Sequence, residues 1–419
     1  MPTEYRARVV DEEVRRGLDN IGALLLEGPR ACGKTATGQF HGKSAVRLDV
    51  DSDAREVASI NPALILDGPV PRLIDEWQLE PQLWNHVRRA VDDRQKPGQF
   101  ILAGSSVPAD DATRHAGAGR ILRIRMRPMS LSESGHSSGD ISLASILHGA
   151  PVNGTRSPLT LADVTSRICI GGWPALQNLS PSGAQQVLSS YLDDVARVDV
   201  PALDGGIRRD PRRIRRVITS VARNVATEVS IARIAADAGE DGRSVSTDTV
   251  RRYLDALARV MVVEDQPSWG AHLRSRDIVR KAPKRHFVDP SLAAAALGAS
   301  PNRLLKDPST LGFLFESLVI RDLRVYAQAA NAEVRHFRDS SGTEVDAIIT
   351  LPNGDWAAIE VKLGASQVDA AAASLDAFIR KVDLAKSGQP TARIIVTAGE
   401  YAFTRPDGAV VVPLGSLGP

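Results

Sequence analysis

Only two of the 419 residues are cysteine, Cys32 and Cys169. They are too few for a disulfide framework and stand in no metal-ligand spacing, so a reducing compartment, the cytoplasm, is the expected setting. His41, His86, His115, His136, His148, His272, His286 and His336 show no i, i+4 pairing and no cysteine company, which argues against a zinc site. Gly135, Ser137 and Gly139 match G-x-S-x-G, but the match lies in a Ser/Gly-rich stretch with no apolar strand before it, so no nucleophile elbow is read there. No apolar run approaches the ~18 residues of a membrane span, and the opening MPTEYRARVVDEEV lacks the apolar stretch of a signal peptide. A soluble, intracellular chain without membrane contact is therefore expected. Lys and Arg total 52 against 50 for Asp and Glu, a net charge of +2, so no global sign announces a nucleic-acid binder. Any basic surface must be local. No fixed-period repeat is present.

What the chain does have is length and apolar content. With 43% hydrophobic residues, 419 positions can build two or three cores. From Ile21, IGALLLEGPRACGKT reads as strand, Gly-rich turn and helix start. Further apolar runs, AVRLDVD, PRLIDEW and QFILAGSS, alternate with helical patterns such as PQLWNHVRRAVDD. That alternation predicts a largely parallel sheet with both faces covered. RILRIRMR alternates apolar and basic residues, as a half-exposed edge strand does, and the sheet is expected to end near Pro128. Leu131 to about Pro158 is rich in Ser and Gly and reads as a linker or loop with one short helix inside it. The expected organisation is an α/β multidomain chain. Residues 1–150 form a P-loop ATPase domain, 151–300 a helical middle with a winged-helix-like segment at about 228–265, and 301–419 a second α/β domain.

Gly28, Pro29, Arg30, Ala31, Cys32, Gly33, Lys34 and Thr35 fit G-x-x-x-x-G-K-[ST] between a strand and a helix. In such a loop, backbone N–H groups face phosphate oxygens, the lysine reaches the β/γ-phosphates and the threonine ligates Mg²⁺. The expected cofactors are ATP and Mg²⁺. Cys32 is expected to be a small filler in the loop. Further along, Leu73 and Ile74 lead into Asp75 and Glu76, resembling a Walker B motif: Asp75 would hold Mg²⁺ and Glu76 would polarise the attacking water. Ser105 or Ser106, after the next strand, reads either as a γ-phosphate sensor or as a turn residue. Arg120 reads either as an arginine finger, in cis or across a subunit contact, or as a solvated arginine.

In the middle, EVSIARIAADAGEDGRSVSTDTVRRYLDALARVMVVED outlines a winged helix-turn-helix, with Thr247, Thr249, Arg251 and Arg252 on the second helix. Arg208, Arg209, Arg212, Arg213, Arg215 and Arg216 concentrate charge upstream, and Arg274, Arg276, Arg280, Lys281, Lys284 and Arg285 form a second cluster. DNA contact and packing against protein both fit these features. Toward the C-terminus, Glu316, Asp346, Glu360 and Lys362 follow a D…E-x-K layout. Residues 360 and 362 share one face of a strand, so a carboxylate and an ammonium converge near Asp346. Asp346 and Glu360 are candidate Mg²⁺ ligands with Glu316 as an outer one, and Lys362 would orient water; a silent version of the same fold is the alternative.

The chain resembles a large prokaryotic family of AAA-type ATPases fused to a C-terminal domain of uncharacterised function. The resemblance runs through GPRACGKT, LDVDSDAREVASINP, PRLIDEWQLEPQLWNHVRRAVD, FILAGSS, AGRILRIRMRPMSLSE, GGWPAL, SYLDDVARVDV, TVRRYLDALARVMVVED, KAPKRHFVDPSL, GFLFESLVIRDL and EVDAIITLPNGDWAAIEVK. It implies an ATPase core, a winged-helix-like segment and a restriction-nuclease-like domain, and it suggests the roles given to Lys34, Thr35, Asp75 and Glu76. Trp77 departs from the family, which more often has a smaller aliphatic residue there, and Ser105 or Ser106 stands, as in the family itself, where many AAA proteins carry a sensor asparagine. Two functions are expected on these grounds. One is an ATP-dependent enzyme or switch acting on DNA. The other is a regulatory ATPase that binds a protein partner, with a silent C-terminal domain. Self-association is compatible with either.

Overall fold

The run Ala23, Leu24, Leu25, Leu26 has no polar alternation, which suits a strand covered on both sides. It lies in β1 (Ala23–Glu27), inside a five-stranded sheet with β2 (Ser44–Arg47), β3 (Arg72–Asp75), β4 (Phe100–Gly104) and β5 (Ile121–Arg125). The computed structural model describes residues 5–104, 117–152, 154–203, 210–240, 244–271 and 281–419. Strand order is β2-β3-β4-β1-β5 and every pairing is parallel. Successive side chains point to opposite faces. Leu24 and Leu26 join one core, while Leu25, with Val46, Ile74, Phe100 and Leu102, joins another on the opposite face. Trp77 belongs to that second core, 2% exposed, its ring 5.2 Å from that of Trp84. Truncating such a residue costs about 3–5 kcal/mol.

The segment read as a linker with one short helix does hold a helix, Leu143–Leu147, but it is also built into the C-terminal part. β6 (Ile141–Ser142) pairs with β14 (Leu417–Gly418), and β7 (Thr155–Arg156) pairs with β12 (Tyr401–Thr404). Ser137 Oγ donates to the Leu417 carbonyl across 280 residues of sequence. Composition reports that serine and glycine favour turns; it carries no information on which distant backbone will pair with them. β7 is the edge of a seven-stranded sheet ordered β7-β12-β13-β11-β10-β9-β8. Its other members are β8 (Glu333–Arg338), β9 (Glu344–Thr350), β10 (Trp356–Lys362), β11 (Ala392–Thr397) and β13 (Val410–Pro413).

The middle is helical. Thr160 and Asp163 close a capping box on the helix Leu161–Ile170. The GGWP turn follows, with Gly172 so close to Met129 that a Cβ there would lie 2.1 Å from its carbonyl oxygen. Trp173 is buried and donates to Ser291 Oγ at 3.2 Å, as a packed turn aromatic. Helix Pro181–Asp194 runs into a π-helical turn, Val195–Asp199, and then come helices Pro211–Arg223, Ile231–Asp237 and Thr247–Arg259. After them, isolated antiparallel bridges join Val263 to Phe287 and Gln266 to Lys284. The 22-residue helix Pro308–Ala329 is buried along most of its length and links the parts: one apolar core runs without a break from Val10 and Leu26 to Leu414 and Leu417. Among the described residues no helix is long and apolar enough to cross a membrane.

Candidate functional site: a phosphate loop and a carboxylate–lysine cluster

β1 ends at Glu27, and its neighbour's continuation, Met126, donates back to the Glu27 carbonyl at 2.7 Å. Gly28 must therefore pass that chain closely; a Cβ would lie 2.4 Å from the Met126 oxygen. Gly33, at φ 110°, caps helix Lys34–His41 in a conformation that L side chains rarely adopt and makes no side-chain cap bond. The loop thus turns its backbone toward whatever lies before the helix. Lys34 is 6% exposed, and its Nζ spans the loop to the carbonyls of Gly28 (2.9 Å) and Pro29 (2.8 Å).

β4 separates β1 from β3, so the Asp75 carboxylate stands two strands from the loop, about 10 Å at the usual spacing. Thr35 closes the gap: its Oγ1 donates to Asp75 Oδ1 at 3.1 Å. Burial raises the Asp75 carboxyl above its ordinary range, and the Thr35 bond partly offsets it. Glu76 adopts the left-handed region, φ 53°, uncommon for a non-glycine residue, and its carboxylate accepts from Gln78 Nε2. Ser105 and Ser106 lie outside the described residues.

Arg120 is corrected as a finger acting within its own chain. Its carbonyl accepts from Ala23 N, at the start of β1, and its Nε donates to Asp92 Oδ1 at 2.8 Å. The phosphate loop leaves the other end of β1, roughly 16 Å away along a five-residue strand. Alternation in RILRIRMR reports an edge strand but not which end of it faces the loop.

A cleft of about 930 Å³ opens beside the loop, and its far wall comes from the middle segment. Lys34, Thr35, Glu76 and Gln78 face Pro174, Asp199 and Leu203 across it. Arg30 NH1 lies 2.7 Å from Asp199 Oδ1, and burial raises the Asp199 carboxyl. Behind the loop, the buried Arg8 donates to Cys32 O (2.9 Å), Arg127 O (2.8 Å) and Glu133 Oε1 (3.0 Å). Arg8 lies outside the segments that carry the resemblance; Glu133 and Asp199 lie within AGRILRIRMRPMSLSE and SYLDDVARVDV, but their sequence context shows no role for them.

The C-terminal constellation does come together. Lys362, on β10, reaches Glu360 Oε2 at 2.5 Å and Asp346 Oδ2, on β9, at 3.3 Å. Asp346 Oδ2 also accepts from Val361 N at 2.8 Å, and Glu360 Oε1 from Ser374 Oγ at 3.3 Å. A residue read as part of a basic surface completes the set. Lys284 is 1% exposed, with its Nζ 2.7 Å from Glu316 Oε1, 2.7 Å from Glu344 Oε1 and 3.4 Å from Asp346 Oδ1. Burial beside Asp346 pushes Glu316 up to about 8 and Glu360 up to about 7, whereas the two ammoniums keep Asp346 below the ordinary carboxylate range.

The second basic cluster is corrected accordingly. Lys284 is buried, Arg285 pairs with Asp265 at 2.5 Å, and Lys281 bonds the Arg338 carbonyl; Arg274, Arg276 and Arg280 lie outside the described residues. In the first cluster Arg212 and Arg213 are exposed. Arg215 pairs with Asp193 at 3.1 Å and Arg216 with Glu240 at 3.0 Å, and Arg208 and Arg209 lie outside the described residues. Charge runs in sequence do not tell solvated arginines from those paired in the fold.

A parallel sheet whose central strand feeds a Gly-rich loop and helix, with a strand-end carboxylate two strands away, defines the P-loop nucleotide-binding class. Comparison with known proteins agrees: residues 20–135 match the AAA domain family. Residues 161–303 and 311–417 match two domains of unknown function, DUF8612 and DUF4143. Uncharacterized proteins of Mycobacterium bovis and Mycobacterium tuberculosis are each 26% identical over 412 residues, covering 96% of this chain and 82% of the relative. A Walker-type ATPase of Pyrococcus abyssi aligns with a TM-score of 0.39 and 13% identity, over 68% of this chain and 94% of its own. The likeness to AAA domains is thus to residues 20–135 of the chain.

Proposed function

We propose that the chain is a Mg²⁺-dependent ATPase whose nucleotide occupancy is read by its own middle segment. The observation that carries this is the cleft itself, with the phosphate loop on one wall and Pro174, Asp199 and Leu203 on the other. Thr35 and Asp75, already in contact, are the pair suited to Mg²⁺, one directly and one through water. The ion would neutralise the charge developing on the γ-phosphoryl group. Lys34 would leave the carbonyls of Gly28 and Pro29 for the phosphates, a longer-range partner of full opposite charge. Glu76 would accept a proton from the attacking water, and Gln78 holds its carboxylate until then. Arg30 has two candidate partners, Asp199 and phosphate, so nucleotide binding would compete with the contact that ties the loop to the middle segment.

Three helices followed by antiparallel bridges support a winged-helix-like reading of the middle, and the long helix packed on β8, β9 and β10 supports a restriction-nuclease-like reading of the C-terminal part. Among the described residues of the first cluster, Arg215 and Arg216 are paired within the fold, which leaves Arg212 and Arg213 there for DNA. This favours the regulatory switch acting on a protein partner over an enzyme working on DNA. The deciding experiment is hydrolysis of Mg·ATP by the full chain with and without duplex DNA. Turnover indifferent to DNA supports the switch, strong stimulation by DNA reverses the preference, and absence of hydrolysis in all conditions refutes the ATPase reading.

A further inference from the structure

The D…E-x-K layout implies a divalent cation between Asp346 and Glu360, and the residues present do not fit one. Among the described residues no group of three or more His, Cys, Asp or Glu side chains is arranged to hold a metal ion. The oxygens that would do so are engaged by ammonium groups instead. Lys284 takes Glu316, Glu344 and one oxygen of Asp346, and Lys362 takes the other oxygen of Asp346 and Glu360. An ion bound at about 2.0–2.6 Å from Asp346 and Glu316 would sit against the Lys284 ammonium, two cations sharing the same oxygens.

Lys284 is also fixed in place. Its backbone exchanges both hydrogen bonds with Gln266, at 2.8 and 3.1 Å, and the Gln266 side chain donates to the Asp346 carbonyl at 3.0 Å. The next residues are held as well: Arg285 by Asp265, and His286 between Ser317 Oγ and Gln266 Oε1, each at 3.1 Å. The helix, the sheet and the chain segment that follows the middle helices therefore meet on this one side chain.

We propose that the Lys284 ammonium permanently takes the place of the divalent cation, so that the cluster is a metal-free ionic joint between the middle and C-terminal parts and not a nuclease centre. Covalent attachment sets this internal cation apart from a bound one: it cannot be chelated, diluted or exchanged. Removing the ammonium while keeping the bulk, as in Lys284→Met, leaves the carboxylates without a counter-charge and opens the position to an added cation.

The test is Mn²⁺ binding to the full chain without nucleotide, followed by electron paramagnetic resonance and by thermal melting. Comparison with Asp346→Asn in each background separates this site from any ion at the phosphate loop. In the native protein, Asp346→Asn should leave the number of bound Mn²⁺ unchanged. Lys284→Met should melt lower, gain one Mn²⁺ and recover roughly 2 °C at saturating ion, and Lys284→Met with Asp346→Asn should lose that ion and that recovery. A Mn²⁺ bound by the native protein and lost in Asp346→Asn overturns the proposal, as does a folded Lys284→Met that takes up none. Should Lys284→Met fail to fold, the native and Asp346→Asn comparison still decides whether the site holds metal.

Discussion

Arg30 of the phosphate loop and Asp199 of the middle segment face each other across the nucleotide cleft, NH1 to Oδ1, at 2.7 Å. The arginine is half exposed and the aspartate side chain is 8% exposed, so the pair is anchored on the middle segment and free to move on the loop side. A nucleotide that draws Arg30 away leaves Asp199 buried without its partner. Asp199→Asn removes this competition, and its expected effect is ATP binding tighter by about threefold, the scale of a partly exposed ion pair. Titration with a fluorescent ATP analogue measures it, and unchanged affinity would separate Arg30 from the phosphates.

Lys34→Ala should weaken Mg·ATP binding by about a hundredfold, because it deletes the ammonium buried inside the loop and leaves the γ-phosphate without that charge. The readout is calorimetry alongside the melting temperature, so that lost binding is not confused with lost folding. Native affinity in a folded variant rules out the phosphate loop as the nucleotide site.

Glu76→Gln should keep ATP binding and slow hydrolysis by at least roughly a hundredfold, since an amide preserves shape but accepts no proton from water. Gln78→Ala, which removes the donor that holds Glu76, should change turnover without changing affinity. Steady-state kinetics with a separate binding measurement distinguish the two; wild-type turnover in Glu76→Gln assigns the base elsewhere.

Burial beside Asp346 raises the Glu316 and Glu360 carboxyls above the ordinary range near 4.5, to about 8 and about 7. The folded chain then holds more protons than the unfolded one between these values. Their contribution to stability is complete below about pH 4.5 and is lost as pH rises through about 7 to 8. Denaturant unfolding at pH 6 and pH 8.5 should show the native protein losing stability over this window and Glu360→Gln losing less. Equal losses would place the titration in other groups.

If duplex DNA is a partner, replacing Arg212 and Arg213 by Ala should flatten the salt dependence of binding by about 0.9 for each phosphate that the variant no longer neutralises. Arg215→Ala and Arg216→Ala should instead lower the melting temperature with little change in slope, because both side chains pair within the fold. A slope untouched by the first pair leaves those arginines to solvent or to a protein interface.

The loop between β1 and its helix was readable because its pattern is carried by consecutive residues. A strand, two glycines at fixed spacing and a Lys-Thr pair determine the local backbone wherever the segment is placed. Asp75 and Glu76 were readable for the same reason, as the end of a short apolar strand, and so was the parallel sheet, through its alternating strands and helices. The tertiary structure decided what spacing cannot encode. Arg8 braces a loop far along the chain, and Glu133 closes on it from 125 residues away. A Ser/Gly-rich stretch that composition marks as a linker with one short helix holds that helix, but also two short strands, because backbone pairing depends on which distant chain arrives beside it. Arg120, a candidate finger by its neighbours in sequence, stands at the end of its strand away from its own chain's phosphate loop. Lys284 differs from the other basic residues around it in nothing the sequence displays; only the packing of a helix, a sheet and a bridging segment makes it the buried counter-ion of Glu316, Glu344 and Asp346, and leaves Arg212 a solvated cation.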